Sequence, residues 1–158
     1  MGENGEKCWR PTKLFLGEFF HSLDKEFRIA LPARLREAAG KALEEGLCLL
    51  CGAEPCITVY TQERLRQLLS DLVAEASLSK TELRNFKRSL GSTAVIAAPD
   101  AQGRIRLPEF LRAYAGITKE VAIVGVVDAM EIWDAARYRG LASARRVVHG
   151  RLAPRGLV

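Results

Sequence analysis

The chain writes one phrase twice. Residues 23–40, LDKEFRIALPARLREAAG, lie without a gap over residues 99–116, PDAQGRIRLPEFLRAYAG. Nine of the eighteen positions are identical: Asp24/Asp100, Arg28/Arg104, Ile29/Ile105, Leu31/Leu107, Pro32/Pro108, Leu35/Leu111, Arg36/Arg112, Ala39/Ala115 and Gly40/Gly116. Composition alone does not produce such a match, so the chain is an internal duplication, and whatever local logic one copy has the other must share.

That logic is readable from residue types. A β-rich run (LFLGEFF at 14–20, TAVIA at 93–97) enters a polar turn, and a short strand starts at the arginine. Pro32 and Pro108 then suit the first position of a helix, where a fixed φ and a missing N–H cost nothing. The short helix carries Leu35 or Leu111 inward and stops at Gly40 or Gly116 through a left-handed cap. Further strands follow, LCLLC and ITVY in the first half, VAIVGVV and MEIW in the second. Each half is thus β-β-α-β-β. Such a unit is too small to bury a good core alone. The expected fold class is α+β, with two pseudo-symmetric repeats interleaved into one swapped-hairpin, double-psi-like β-barrel with peripheral helices.

Between the halves the period becomes helical. Thr61 caps a helix whose Leu65, Leu68, Leu69, Leu72 and Val73 form an apolar stripe. Ser79 and Glu82 make a capping box for a second helix bearing Leu83, Phe86 and Leu90 and ended by Gly91. These two helices are expected to link and cover the halves. A further helix starts at Asp134 and is weakened by Gly140. The domain reading is a loose arm at 1–13, repeat one at 14–60, a helical linker pair at 61–90, repeat two at 91–133, and a C-terminal helix with a basic tail at 134–158.

Charge is unevenly placed. Residues 1–133 hold 18 basic and 18 acidic side chains, and the whole net charge of +5 comes from six arginines set against Asp134 in the tail. Such a tail either attracts phosphates or is a solvated end. The longest apolar or glycine run, VAIVGVV, is far short of the roughly 20 residues of a membrane span, and no secretory signal opens the chain, so the expected location is the cytoplasm. Cys48, Cys51 and Cys56 lack the fourth ligand of a structural zinc site, Cys8 lies in the arm, and His21 and His149 have no ligand spacing to the cluster; the cysteines read as buried reduced thiols, with no metal. With two histidines, no paired acid and base and no glycine-rich phosphate loop, neither an enzyme, a cofactor nor a small-molecule substrate is expected.

The doubled D-x-x-x-R turn with its Leu-Pro, together with FLGEF at 15–19, LRNFKRSLGSTA at 83–94 and KEVAIVGVVDAMEIW at 119–133, closely resembles the MraZ family, whose members carry tandem AbrB-type (SpoVT-AbrB) domains. The resemblance spans roughly residues 14–140. It implies a bacterial, nucleoid-associated transcriptional regulator of the cell-division and cell-wall gene cluster. It also implies a ring-shaped homo-oligomer, octameric or dodecameric, that binds double-stranded DNA at short direct repeats before that operon.

The residues suit that implication on their own chemistry. Asp24 and Asp100 at the turn start accept backbone N–H bonds and fix the loop, with Gly103 supplying a free φ in copy two. Arg28 and Arg104 then offer a planar fork for guanine O6 and N7 or for phosphate. Lys25, Arg34 and Arg36 in copy one, and Arg106 and Arg112 in copy two, stand ready for the DNA backbone. The plainer alternative is an Asp–Arg pair that merely staples each hairpin; Arg36 and Arg112 read as a solvated helix face, and His21 as a satisfied strand residue. Copy one departs from the family pattern, with Glu26-Phe27 where a Lys-Gly usually precedes the arginine. A ring that has lost its reader, as a scaffold without DNA, is the rival reading; a single-copy antitoxin-like module is disfavoured by the duplication.

Overall fold

A computed structural model of the chain describes residues 13–152. The arm expected at 1–13 lies, apart from Lys13, outside the described residues, as do the last six residues of the tail. The elements run β1 (Glu18–Ser22), β2 (Arg28–Ala30), α1 (Ala33–Ala39), α2 (Ala42–Glu45), β3 (Leu47–Cys51), β4 (Ile57–Thr61), α3 (Gln62–Glu75), α4 (Lys80–Thr93), β5 (Val95–Ala97), β6 (Arg104–Arg106), α5 (Glu109–Ala115), β7 (Glu120–Gly125), β8 (Met130–Asp134), α6 (Ala135–Gly140) and α7 (Ala142–Leu152). The fold is mixed α+β with antiparallel pairing throughout.

The two copies exchange strands. The large sheet has the order β1-β7-β8-β4-β3-β5, and β2 pairs with β6 in a separate ribbon. β1 of the first copy therefore lies on β7 of the second, and β5 of the second lies on β3 of the first. In the ribbon Arg28 faces Arg106, Ile29 faces Ile105 and Ala30 faces Arg104. An approximate twofold axis thus passes between the two isoleucines, both essentially inaccessible to solvent. The same axis crosses the β4–β8 ladder at the Thr58–Glu131 pair.

Period two then decides what is buried. Leu47, Leu49, Ile57, Val59, Val121, Ile123, Met130 and Ile132 line one face of the sheet, and the ribbon with α1 and α5 closes over them through Ile29, Leu31, Leu35, Ile105, Leu107 and Leu111. The opposite face carries a smaller cluster of Cys56, Ala122, Trp133 and Tyr138, the last delivered by α6. Cys48 and Cys56 are buried free thiols, and burial pushes the Cys56 thiol up to about 12; Cys51 is half-buried.

Several expectations are corrected. Strand pairing among the described residues does not close into a barrel: β1 and β5 each have one hydrogen-bonded neighbour, because the three-residue β2 and β6 pair with each other instead of extending the sheet. Pro32 and Pro108 stand one residue earlier than expected, as N-caps with φ near −57°. Gly116 makes the expected left-handed cap, but Gly40 combines φ 56° with ψ −129°, since the chain turns at once into α2, which the sequence did not suggest. Gly91 does not end α4, which continues to Thr93. The caps at Thr61, Ser79 and Asp134 form as read, and the helix after Asp134 breaks at Gly140.

The linker helices are less deeply packed than the rest of the fold. Neither α3 nor α4 contains a buried residue, and Val73 and Phe86 are 47% and 40% exposed. The stripe leucines Leu65, Leu68, Leu69, Leu72, Leu83 and Leu90 are half-buried, so within this chain the stripes are covered only in part.

Gly125 carries a backbone crossing. Its N–H donates to the Gly17 carbonyl at 2.8 Å, and a Cβ there would stand 2.4 Å from the Phe15 carbonyl carbon. Gly125→Ala is expected to cost about 1–3 kcal/mol by overpacking against main chain that cannot yield. Gly91→Ala, facing open space inside a helix, is expected to add roughly 0.5–1 kcal/mol. Denaturant unfolding of the two variants checks the contrast, and equal shifts would contradict it.

Candidate nucleic-acid interface

Each D-x-x-x-R segment is a rigid, self-satisfied loop. Asp24 Oδ1 accepts from the amides of Glu26 (2.8 Å) and Arg28 (2.9 Å), and Asp100 Oδ1 accepts from those of Gln102 (2.9 Å) and Arg104 (3.0 Å). Their Oδ2 atoms accept from the Nε of Arg28 (2.8 Å) and Arg104 (3.0 Å). Main-chain bonds close both loops alike, Asp24 N to Arg28 O at 3.0 Å and Asp100 N to Arg104 O at 2.9 Å. These amide donors, led by those of Arg28 and Arg104, hold both carboxyls below the ordinary aspartate value.

The loops are locked to each other across the dyad. The Leu31 amide donates to the Gly103 carbonyl and the Leu107 amide to the Phe27 carbonyl, both at 2.9 Å. Arg36 donates Nε to the Leu31 carbonyl (3.0 Å) and lays its guanidinium against Gly103. Arg112 donates Nε to the Leu107 carbonyl (2.9 Å) and stacks on the Phe27 ring, its Cζ 3.6 Å from the centroid. These two arginines are therefore clamps between copies, not the solvated face the helix pattern suggested. Their identity in the duplication was the available signal.

The plainer alternative, an ion pair in each hairpin, is thus present in both copies. It does not use up the arginines. Nη1 of Arg28 lies 3.7 Å from Asp100, and Nη1 of Arg104 lies 3.8 Å from Asp24, so the four groups form a cross-braced quartet about the axis. Among the described residues the side-chain hydrogen bonds of both arginines are made by Nε alone. The Arg28 and Arg104 side chains are 26% and 31% exposed.

The remaining sequence candidates separate. Lys25 and Arg34 are exposed. Arg106 reaches across the axis and donates Nε to the Glu26 carbonyl at 3.1 Å, bracing the tip of loop one. In the C-terminal helices Arg139 pairs with Glu120 (2.7 Å) and lies over the Phe20 ring, and Arg145 pairs with Glu18 (3.3 Å) and lies over the Tyr138 ring. Part of the basic excess therefore pins α6 and α7 to the outer face of the sheet.

Phe27 adopts φ 60° beside Gly103 at φ 75°. Loop one has kept the shape of loop two, and its non-glycine residue carries a backbone cost of about 1–2 kcal/mol. Glu26 places a third carboxylate 3.6 Å from Arg28 Nη1.

Because both aspartates titrate lower in the folded chain than in the unfolded one, their contribution to stability is complete above the ordinary value of 3.8 and is lost as pH falls through the lowered folded values. The gap in thermal midpoint between wild type and Asp100→Asn is expected to stay constant from neutral pH to about pH 5 and to close in acid below the ordinary carboxylate value. A gap independent of pH would contradict the assignment.

Comparison with known proteins finds relatives of both halves. The family model described as "MraZ protein, putative antitoxin-like" matches residues 14–89 and again 91–146, once for each half. Relatives named transcriptional regulator MraZ include one from Cutibacterium acnes, 33% identical over 84% of this chain and 89% of its own length. Those from Paenarthrobacter aurescens and Thermomicrobium roseum are 41% and 40% identical, each over 77% of this chain and 82% of the relative. With both copies matched and the relatives covered nearly end to end, the chain belongs to the MraZ family.

Proposed function

We propose that the chain is a transcriptional regulator that binds double-stranded DNA through Arg28 and Arg104, as a ring-shaped homo-oligomer on short direct repeats upstream of its own division and cell-wall operon. The single observation that carries this is the pair of braced, partly exposed guanidiniums at the tips of two interlocked loops about one axis. A fork held at Nε by a hydrogen bond and at Nη1 by longer ion pairs keeps its outer edge free of direct hydrogen bonds for a guanine edge or a phosphate, and the cross-bracing removes the entropy cost of aiming it. Lys25 and Arg34 supply backbone contacts, while Arg106 acts through loop one. Residues 14–60 and 91–133 are the two reading repeats on this account, 61–90 the linker, and 134–158 a helix with a basic tail. The names of the relatives, all transcriptional regulators, support the class. Among the described residues no helix is long and apolar enough to cross a membrane, and a cytoplasmic, nucleoid-associated location follows from the DNA partner.

The ring accounts for the partly covered linker helices. Stripes left half-exposed within one chain are covered by the next copy, and many weak loop contacts then act at high effective concentration on repeated DNA. The scaffold reading is favoured by one observation, the ion pairing of both arginines with Glu26 added at loop one.

Titration of the upstream duplex separates the two. Affinity is expected to fall steeply with salt, on the order of a thousandfold between roughly 50 and 200 mM for a ring making six or more phosphate contacts. Arg104→Ala is expected to weaken binding by about tenfold or more, the worth of a lost bidentate base contact. Arg28→Ala is expected to cost less, because Arg28 faces three carboxylates and Arg104 two. A flat salt response supports the scaffold, and equal losses make the loops equivalent. Sedimentation tests the ring: Val73→Ser with Phe86→Ser is expected to lower the assembly mass with the helical spectrum intact, and an unchanged mass would show that these faces are not the interface.

A further inference from the structure

We infer that Phe27 is a base-reading residue: its ring packs on the C5-methyl group of a thymine in the major groove, so that loop one reads by apolar contact where loop two reads by hydrogen bonds. This rests on the DNA-binding reading above and assigns a chemistry to one of its two loops.

The observation is an asymmetry inside a symmetric frame. Positions 27 and 103 are dyad mates with the same positive φ, the same amide bond to the turn aspartate's carbonyl and the same carbonyl bond across the axis. Gly103 is buried beneath Arg36, which shows that the loop and its clamp need no side chain there. Phe27 brings a large apolar group to this place in a conformation that disfavours it, and leaves it 44% exposed beside Arg28. The ring does not fill a core.

It is nonetheless fixed. Both backbone groups of Phe27 are hydrogen-bonded, and the Arg112 guanidinium, itself anchored on Leu107, covers one face of the ring at 3.6 Å. A rigid aromatic group with an open side, aimed by two neighbours, is preorganised for contact. The apolar feature that base edges display in the major groove is the thymine methyl, and phenylalanine is among the side chains that suit it. Glu26 works in the same direction: its carboxylate near Arg28 Nη1 weakens polar reading by loop one and shifts the load to the ring. Loop two instead presents Gln102 and Arg104, which suit the polar edges of adenine and guanine.

The test uses the full-length oligomer and its upstream duplex, with the thymines of the direct repeat replaced one at a time by deoxyuridine, which removes the methyl alone. Wild type is expected to lose about fourfold for each Phe27 contact, the worth of one buried methyl-sized group. Phe27→Gly, which copies Gly103 and is expected to melt no lower than wild type, should bind the thymine and uracil duplexes equally. Wild type that binds but ignores every replacement, or Phe27→Gly that still discriminates, overturns the inference and leaves the DNA-binding reading standing. Wild type that binds no upstream duplex overturns both.

Discussion

Two main-chain hydrogen bonds hold the rest in place. Leu31 donates to the Gly103 carbonyl and Leu107 to the Phe27 carbonyl, so each loop tip is closed by the strand exit of the other copy. Each loop is shaped by its own aspartate and seated by the other copy. The isoleucine pair on the axis, the cross-braced aspartates and arginines, and the Arg36 and Arg112 clamps all depend on that exchange. The apolar core supplies the stability, as in any small domain, but the exchange sets where two guanidiniums stand relative to each other.

The same exchange explains how the copies diverge without losing the frame. A phenylalanine at positive φ in an isolated turn would favour another loop shape, because a local conformational cost has nothing to oppose it. Here the amide and carbonyl of Phe27 are both engaged and Arg112 lies on the ring, so the loop is over-determined. Loop one has therefore been free to change its surface chemistry while keeping its geometry. Duplication followed by such drift turns a self-symmetric pair of loops into two unlike tips.

Much of this was legible in the chain, for reasons that can be named. The doubled phrase revealed the repeat, and Asp24, Asp100 and Gly103 announced the loop because an Asx-type turn and a positive φ are local demands. The helix caps at Thr61, Ser79 and Asp134 were equally local and formed as read. What sequence missed depends on distant partners. Arg36 and Arg112 sit on helix faces that look solvated until the other copy's loop is laid against them. The stripes on α3 and α4 were read as covering the halves, yet an apolar stripe does not say whether its partner lies in the same chain. The open sheet with a separate ribbon could not be told from a closed barrel, because strand partners are fixed by register across the dyad and not by the period of any one strand.

The central claim is that both loop tips face DNA together. Ultraviolet cross-linking of the full-length oligomer to its upstream duplex, followed by mass spectrometry of the peptides that carry nucleotide, addresses it most directly. The account requires cross-links in both loop segments, residues 24–28 and 100–106. Cross-links confined to α7 and the basic tail, with both loops unmodified, would contradict it.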